Sequence, residues 1–86
     1  MELEQLRLFI EAAEHEGFSP AARALYTSHS TVSRAVSSLE AELDTQLFIR
    51  EHKKLTLTKA GETLLAEAKS IIEMADRIPE KIKGLR

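Results

Sequence analysis

At 86 residues the chain has the length of one domain, and 12 Lys and Arg against 14 Asp and Glu leave a formal net charge of −2. A hydrophobic fraction of 43% with 30% charged residues excludes a disordered tail, and no apolar run approaches the ~20 residues of a membrane helix. The absence of cysteine excludes disulfides, thiolate metal sites and cysteine nucleophiles. With no signal-peptide pattern at the N-terminus, the expectation is a cytoplasmic protein with no membrane partner.

An acidic mean charge argues against a nucleic-acid partner, because phosphate backbones attract cations. The charge is not spread evenly, however. Residues 1–18 balance at −4, residues 19–61 at +2 and residues 62–86 at zero. No Asp or Glu occurs from Gly17 through Leu39, a stretch that carries eight Ser and Thr side chains, among them Ser28, Ser30, Thr31 and Ser33.

In chain order, Leu3, Leu6, Phe9, Ile10 and Ala13 recur at helical spacing and predict a first helix that ends at Gly17. Ser19 and Pro20 read as the N-cap and first position of a second helix running to about Leu25, with Ala21, Ala22 and Leu25 inward. After a short turn at Tyr26 and Thr27, Ser28 is placed to cap a third helix, with Val32, Val36, Leu39 and Leu43 buried. Leu47 to Ile49 and Leu55 to Leu57 predict a hairpin whose tip, Arg50 to Lys54, is polar and basic. Thr58 then caps a fourth helix. Its apolar positions Leu64, Ala68, Ile71, Ala75, Ile78, Ile82 and Leu85 alternate steps of four and three, a heptad seam for a partner helix. Pro79 predicts a kink or break near Ile78.

Two short helices joined by a tight turn, the second carrying small polar residues and one arginine, form a helix-turn-helix reader over about residues 18–37. Short Ser, Thr and His side chains let such a helix enter the major groove of B-DNA, and Arg34 can pair with guanine or clamp a phosphate. The basic hairpin behind it has the character of a wing, with Lys53 and Lys54 near its tip.

These residues resemble the N-terminal DNA-binding domain of LysR-type transcriptional regulators, from about Leu3 to Leu65. Leu6 to Ala13 is similar to that family's opening helix. Phe18, Ser19, Pro20, Ala21, Ala22, Arg23, Ala24 and Leu25 match its aromatic, polar, x, Ala-Ala, x, x, Leu motif. Ser28, Val32 to Arg34, Val36, Leu39, Glu40, Glu42 and Leu43 match its recognition helix. Leu47, Phe48, Arg50, Leu57, Thr58 and Ala60 to Glu62 match its wing and linker start, with no gap between segments.

The resemblance implies a mainly α fold: a winged helix-turn-helix over 1–58, followed by a linker and dimerisation helix over 59–86. It implies a homodimer on inverted-repeat double-stranded DNA, with Ser28, His29, Ser30, Thr31, Ser33 and Arg34 facing the major groove. Arg50, Lys53 and Lys54 would lie on backbone or minor groove, and Leu64, Ala68, Ile71, Ala75 and Ile78 would form the dimer seam. It further implies a longer bacterial parent, which can be tetrameric. A C-terminal domain absent from these 86 residues would bind a small-molecule effector. His29 and Ser30 stand where the family usually has Gln and Pro. Asp44 replaces a usual glycine, and Glu51 and His52 replace a small, glycine-bearing wing tip.

No cofactor, metal site or enzyme is expected. Glu11 and His15 sit at i and i+4, but no third ligand is evident, and no catalytic triad or phosphate loop stands out. The alternative to DNA binding is a small helical protein-interaction module that dimerises through the heptad helix.

Overall fold

The computed structural model describes all of residues 1–86 as four helices and one two-stranded sheet. The order is α1 (Leu3–His15), α2 (Phe18–Ala24), α3 (His29–Leu43), β1 (Phe48–Glu51), β2 (Lys54–Leu57) and α4 (Lys59–Lys83). Helix α1 packs against α2, α3 and α4 together. It therefore buries a wider arc than one stripe: Leu6, Leu8, Phe9 and Ala12 are buried, with Ile10 and Ala13 partly so. The expected stripe omitted Leu8 and Ala12 and included Leu3, which is exposed at the helix start.

The turn from α1 to α2 differs from expectation. Glu16, not Gly17, takes the left-handed conformation at φ 54°, and the Gly17 N–H donates to Ala12 O at 3.2 Å. Gly17 then serves as N-cap of α2, which begins one residue before the expected Ser19 cap. A glycine suits that position because a Cβ would press on the Pro20 ring at 3.0 Å. Helix α2 buries Phe18, Ala21 and Ala22, the small alanines leaving room for α1 and α3. Leu25, expected inside, lies beyond the last helical residue and is exposed.

Ser28 caps α3 as expected, its Oγ accepting the Thr31 N–H at 3.1 Å. Val32, Ala35, Val36 and Leu39 form the buried face, while Leu43, in the last turn, is exposed. Asp44 closes the helix at φ 51°, the left-handed geometry that glycine would adopt more easily.

The hairpin is antiparallel, pairing Phe48 with Leu57, Ile49 with Thr56, Arg50 with Leu55 and Glu51 with Lys54. Its two turn residues, His52 and Lys53, have φ of 51° and 63°, the pattern of a type I′ turn made without glycine. Leu47 precedes the strand but is fully buried. Backbone bonds fix this unit to the helices. Leu55 N–H donates to Glu16 O at 3.1 Å, Thr58 N–H to Leu47 O at 3.0 Å, and Leu47 N–H to the Glu40 carboxylate at 2.8 Å. Thr58 caps α4 through the Gly61 N–H at 3.0 Å while its own hydroxyl donates to Gln46 O at 2.7 Å.

Of the kink or break expected near Ile78, the break does not occur, since helix α4 runs without interruption from Lys59 to Lys83. Proline leaves the Ala75 carbonyl without a donor, but residues 76–80 are all exposed and water can take that place. Helix α4 is clasped to α1 by Lys69 with Glu14 at 3.1 Å and, further along, by the exposed pair Arg7 with Asp76 at 2.7 Å. Hydrogen bonding from Arg7 holds the Asp76 carboxyl below its ordinary range, so this pair stays charged to lower pH than a free carboxylate would allow. Beyond Ile72 the helix leaves the core and gives the molecule its 51 Å long axis.

Gly61 is where α4 crosses the entry to the wing, and a Cβ there would collide with the Leu47 carbonyl oxygen and the Leu57 side chain. Gly61→Ala is expected to destabilise the fold by about 1–3 kcal/mol through overpacking. Chemical denaturation checks this, and an unchanged midpoint would show that the wing entry can yield.

Candidate nucleic-acid interface

Opposite the buried face of α3, Ser30, Ser33, Arg34 and Ser37 fall at i, i+3, i+4 and i+7 and form one outward ridge. Ser30, Arg34 and Ser37 are exposed and Ser33 is half-buried. The ridge is free of carboxylates along its length. Ser28 and Thr31 stand beside it, but their hydroxyls lie 2.8 Å apart and serve the helix cap as well as any outside partner.

The wing stands next to this ridge. Arg50 shares a strand face with its buried neighbours Phe48 and Leu55, so its side chain turns inward over the sheet. Its guanidinium carbon lies 4.8 Å from the centroid of the Phe18 ring. That same ring meets the His29 imidazole nearly at right angles, with centroids 5.6 Å apart and planes at 79°. Gly17 to Pro20, His29, Arg50 and Lys53 to Leu55 enclose a depression of about 210 Å³ whose walls carry no carboxylate. A second hollow, of about 370 Å³, runs between α3 and the wing past Ser33, Ser37 and Glu40. Glu40 is the acid there, and its carboxylate accepts the Leu47 N–H at 2.8 Å.

Arg34, Arg50, Lys53 and His29 thus have no carboxylate partner within ion-pair distance, and neither has Arg23 on α2. Lys54 differs: it sits at the start of β2, and its Nζ lies 3.2 Å from the Glu16 carboxylate. His15 Nε2 lies 3.2 Å from Glu11, and no three metal-ligating side chains come together. Reasoning from sequence placed the ridge and the wing cations but missed Ser19 and Phe18 as parts of the same surface. An aromatic opening the helix-turn-helix motif, directly before a hydroxyl, was the signal available.

The seam on α4 divides in two. Ala68 is fully buried within the chain's own core and Leu64 is partly buried against it. Ala68, expected at the dimer seam, is therefore taken up by contacts inside the chain. Ile71 at 40% exposure and Ile78 at 56% remain open, with Met74, Ile82 and Leu85 on the same stripe and Ala75 half-buried beside them.

The profile of the family described as "Bacterial regulatory helix-turn-helix protein, lysR family" matches residues 3–62. The transcriptional regulator YwqM of Bacillus subtilis is 45% identical over 76 residues, which cover 88% of this chain and 26% of that protein. The regulator TcbR of Pseudomonas sp. strain P51 is 39% identical over 84 residues, covering 98% of this chain and 29% of that protein. The chain thus spans under a third of the length of these relatives. The DNA-binding domain of CbnR in complex with DNA superposes with a TM-score of 0.93 at 35% identity, over 99% of this chain and 98% of that one. The BenM domain bound to its benA site 1 DNA gives a TM-score of 0.94 at 29% identity over the whole of both chains. On these matches, and on the winged helix-turn-helix just described, the chain belongs to the LysR family of bacterial regulatory helix-turn-helix proteins.

Proposed function

We propose that these residues read a specific duplex sequence for a bacterial transcription regulator, binding an inverted repeat as a homodimer. The observation that carries this reading is the acid-free ridge of α3 beside unpaired wing cations. On this reading α3 lies in the major groove. Ser30, Ser33 and Arg34 meet base edges, and Ser28, His29 and Thr31 lie at the groove's rim. Arg50, Lys53 and Lys54 lie along the backbone, with Lys53 at the tip facing the minor groove. The relatives solved with DNA, CbnR and BenM, support a duplex as the partner.

The second half of α4 supports the dimer. Ile71, Met74, Ala75, Ile78 and Ile82 present an apolar stripe on a helix that has left its own core, the arrangement of a seam awaiting a second copy. A protein-interaction module without DNA would use the same stripe, but it has no need of the acid-free ridge. The proposed work is binding in the bacterial cytoplasm rather than catalysis. Effector sensing and any tetramer belong to the longer regulator proposed as the parent.

Arg34→Ala is expected to lose roughly 1–3 kcal/mol of affinity for a duplex selected from a random pool, with relaxed preference at one base pair. Equal losses on all sequences would make Arg34 a phosphate contact instead. Ile78→Asp is expected to give monomers by analytical ultracentrifugation where the parent sequence gives dimers. A persistent dimer would move the interface off the α4 stripe.

A further inference from the structure

Three aromatic rings form a column from the centre of the core to the surface beside α3. Phe9 of α1 meets Phe48 of β1 with centroids 5.3 Å apart, and Phe48 meets Phe18 edge-on at 6.2 Å. Phe9 is fully buried, Phe48 is 7% exposed and Phe18 is 9% exposed, so the last ring is held from behind and open only at its outer side. That outer side carries the Arg50 guanidinium at 4.8 Å and the His29 imidazole at 5.6 Å. Arginine is a long side chain that loses much rotamer freedom when fixed. A buried ring that attracts its planar cation fixes it before any ligand arrives.

The depression of about 210 Å³ in front of this ring is lined by Ser19, His29, Arg50, Lys53 and Lys54. Every polar side chain among them can donate a hydrogen bond, no carboxylate lines the depression, and Lys54 alone is shared with an acid, Glu16, at 3.2 Å. The guanidinium fork matches a phosphate's oxygens two at a time, with Ser19, His29 and Lys53 able to close on the remaining ones. We propose that this depression is the seat of a single DNA-backbone phosphate, and that Phe18 is its positioning residue, holding Arg50 in place. The proposal rests on the DNA-binding reading and deepens it. It separates one anchoring phosphate, gripped between the start of α2 and the wing, from the bases met by the α3 ridge. A backbone phosphate is favoured over a free one because the seat adjoins the α3 ridge and the wing, the two elements that would flank a groove.

The test uses fluorescence anisotropy with a duplex selected from a random pool by the unaltered protein. Arg50→Gln is expected to weaken binding roughly tenfold, and Arg50→Lys nearly as much, because lysine keeps the charge but not the fork. Phe18→Leu should give a comparable loss, and the double variant Phe18→Leu with Arg50→Gln should bind no worse than Arg50→Gln alone. Thermal melts verify that Phe18→Leu is folded, and the two Arg50 variants leave the core untouched. In duplexes with single neutral methylphosphonates, one position per half-site should weaken the unaltered protein while leaving Arg50→Gln unaffected. Full binding by Arg50→Lys, multiplying losses in the double variant, or the lack of any such position overturns the seat while the DNA-binding reading stands. Displacement of the duplex by millimolar inorganic phosphate at constant ionic strength assigns the seat to free phosphate and overturns the backbone assignment. An unaltered protein that selects no duplex overturns the DNA-binding reading and the seat with it.

Discussion

The packing of Phe48 between Phe9 and Phe18 is the contact on which the arrangement of this molecule depends. Phe48 is the first residue of the wing, yet it is buried, and its ring ties the sheet to α1 on one side and α2 on the other. A two-stranded hairpin alone is marginal in water, and this one gains its position from that ring, from Leu47 and Leu55, and from the backbone bonds to Glu16 and Thr58. With the wing fixed in this way, Arg50 falls on Phe18 and the basic depression closes beside α3. Without it, the wing cations would be a loose turn rather than one wall of a surface.

The net charge of −2 is compatible with this surface because the acids are used elsewhere. Glu14 and Asp76 hold α1 and α4 together, Glu16 takes Lys54, Glu42 takes the N-terminal ammonium, and Glu40 receives the backbone entering the wing. The exposed pairs contribute little stability individually. None of these carboxylates lies on the α3 ridge, and Arg23, Arg34, Arg50 and Lys53 have no carboxylate partner. An average over the chain therefore conceals a cationic face, and an acidic protein retains a surface suited to polyanions.

Much of this was legible in the sequence. Periodicity and caps located α3, the hairpin and the start of α4, and Ser28 and Thr58 cap as their positions suggested. Four motif segments at ungapped spacing identified the family. The misses have physical causes. Leu8 and Ala12 are inside because α1 is covered on three sides, which a single apolar stripe does not reveal. Ala68 packs inward because α4 lies against α1 before it leaves the core, so a continuous heptad conceals a change of partner. Gly17 serves α2 rather than the end of α1, since space beside Pro20 outweighs the preference of glycine for the left-handed turn. The contact of Arg50 with Phe18 joins residues 32 positions apart and needed the fold to be seen.

If local cations rather than mean charge decide the partner, duplex affinity must depend steeply on salt. The four cations of the helix-turn-helix and wing without a carboxylate partner, Arg23, Arg34, Arg50 and Lys53, predict that log K falls linearly against log salt. The slope should be roughly −4 per protomer and about twice that for a dimer. A slope near zero would rule out a cationic DNA-binding face, because no phosphate contact would then be releasing counterions.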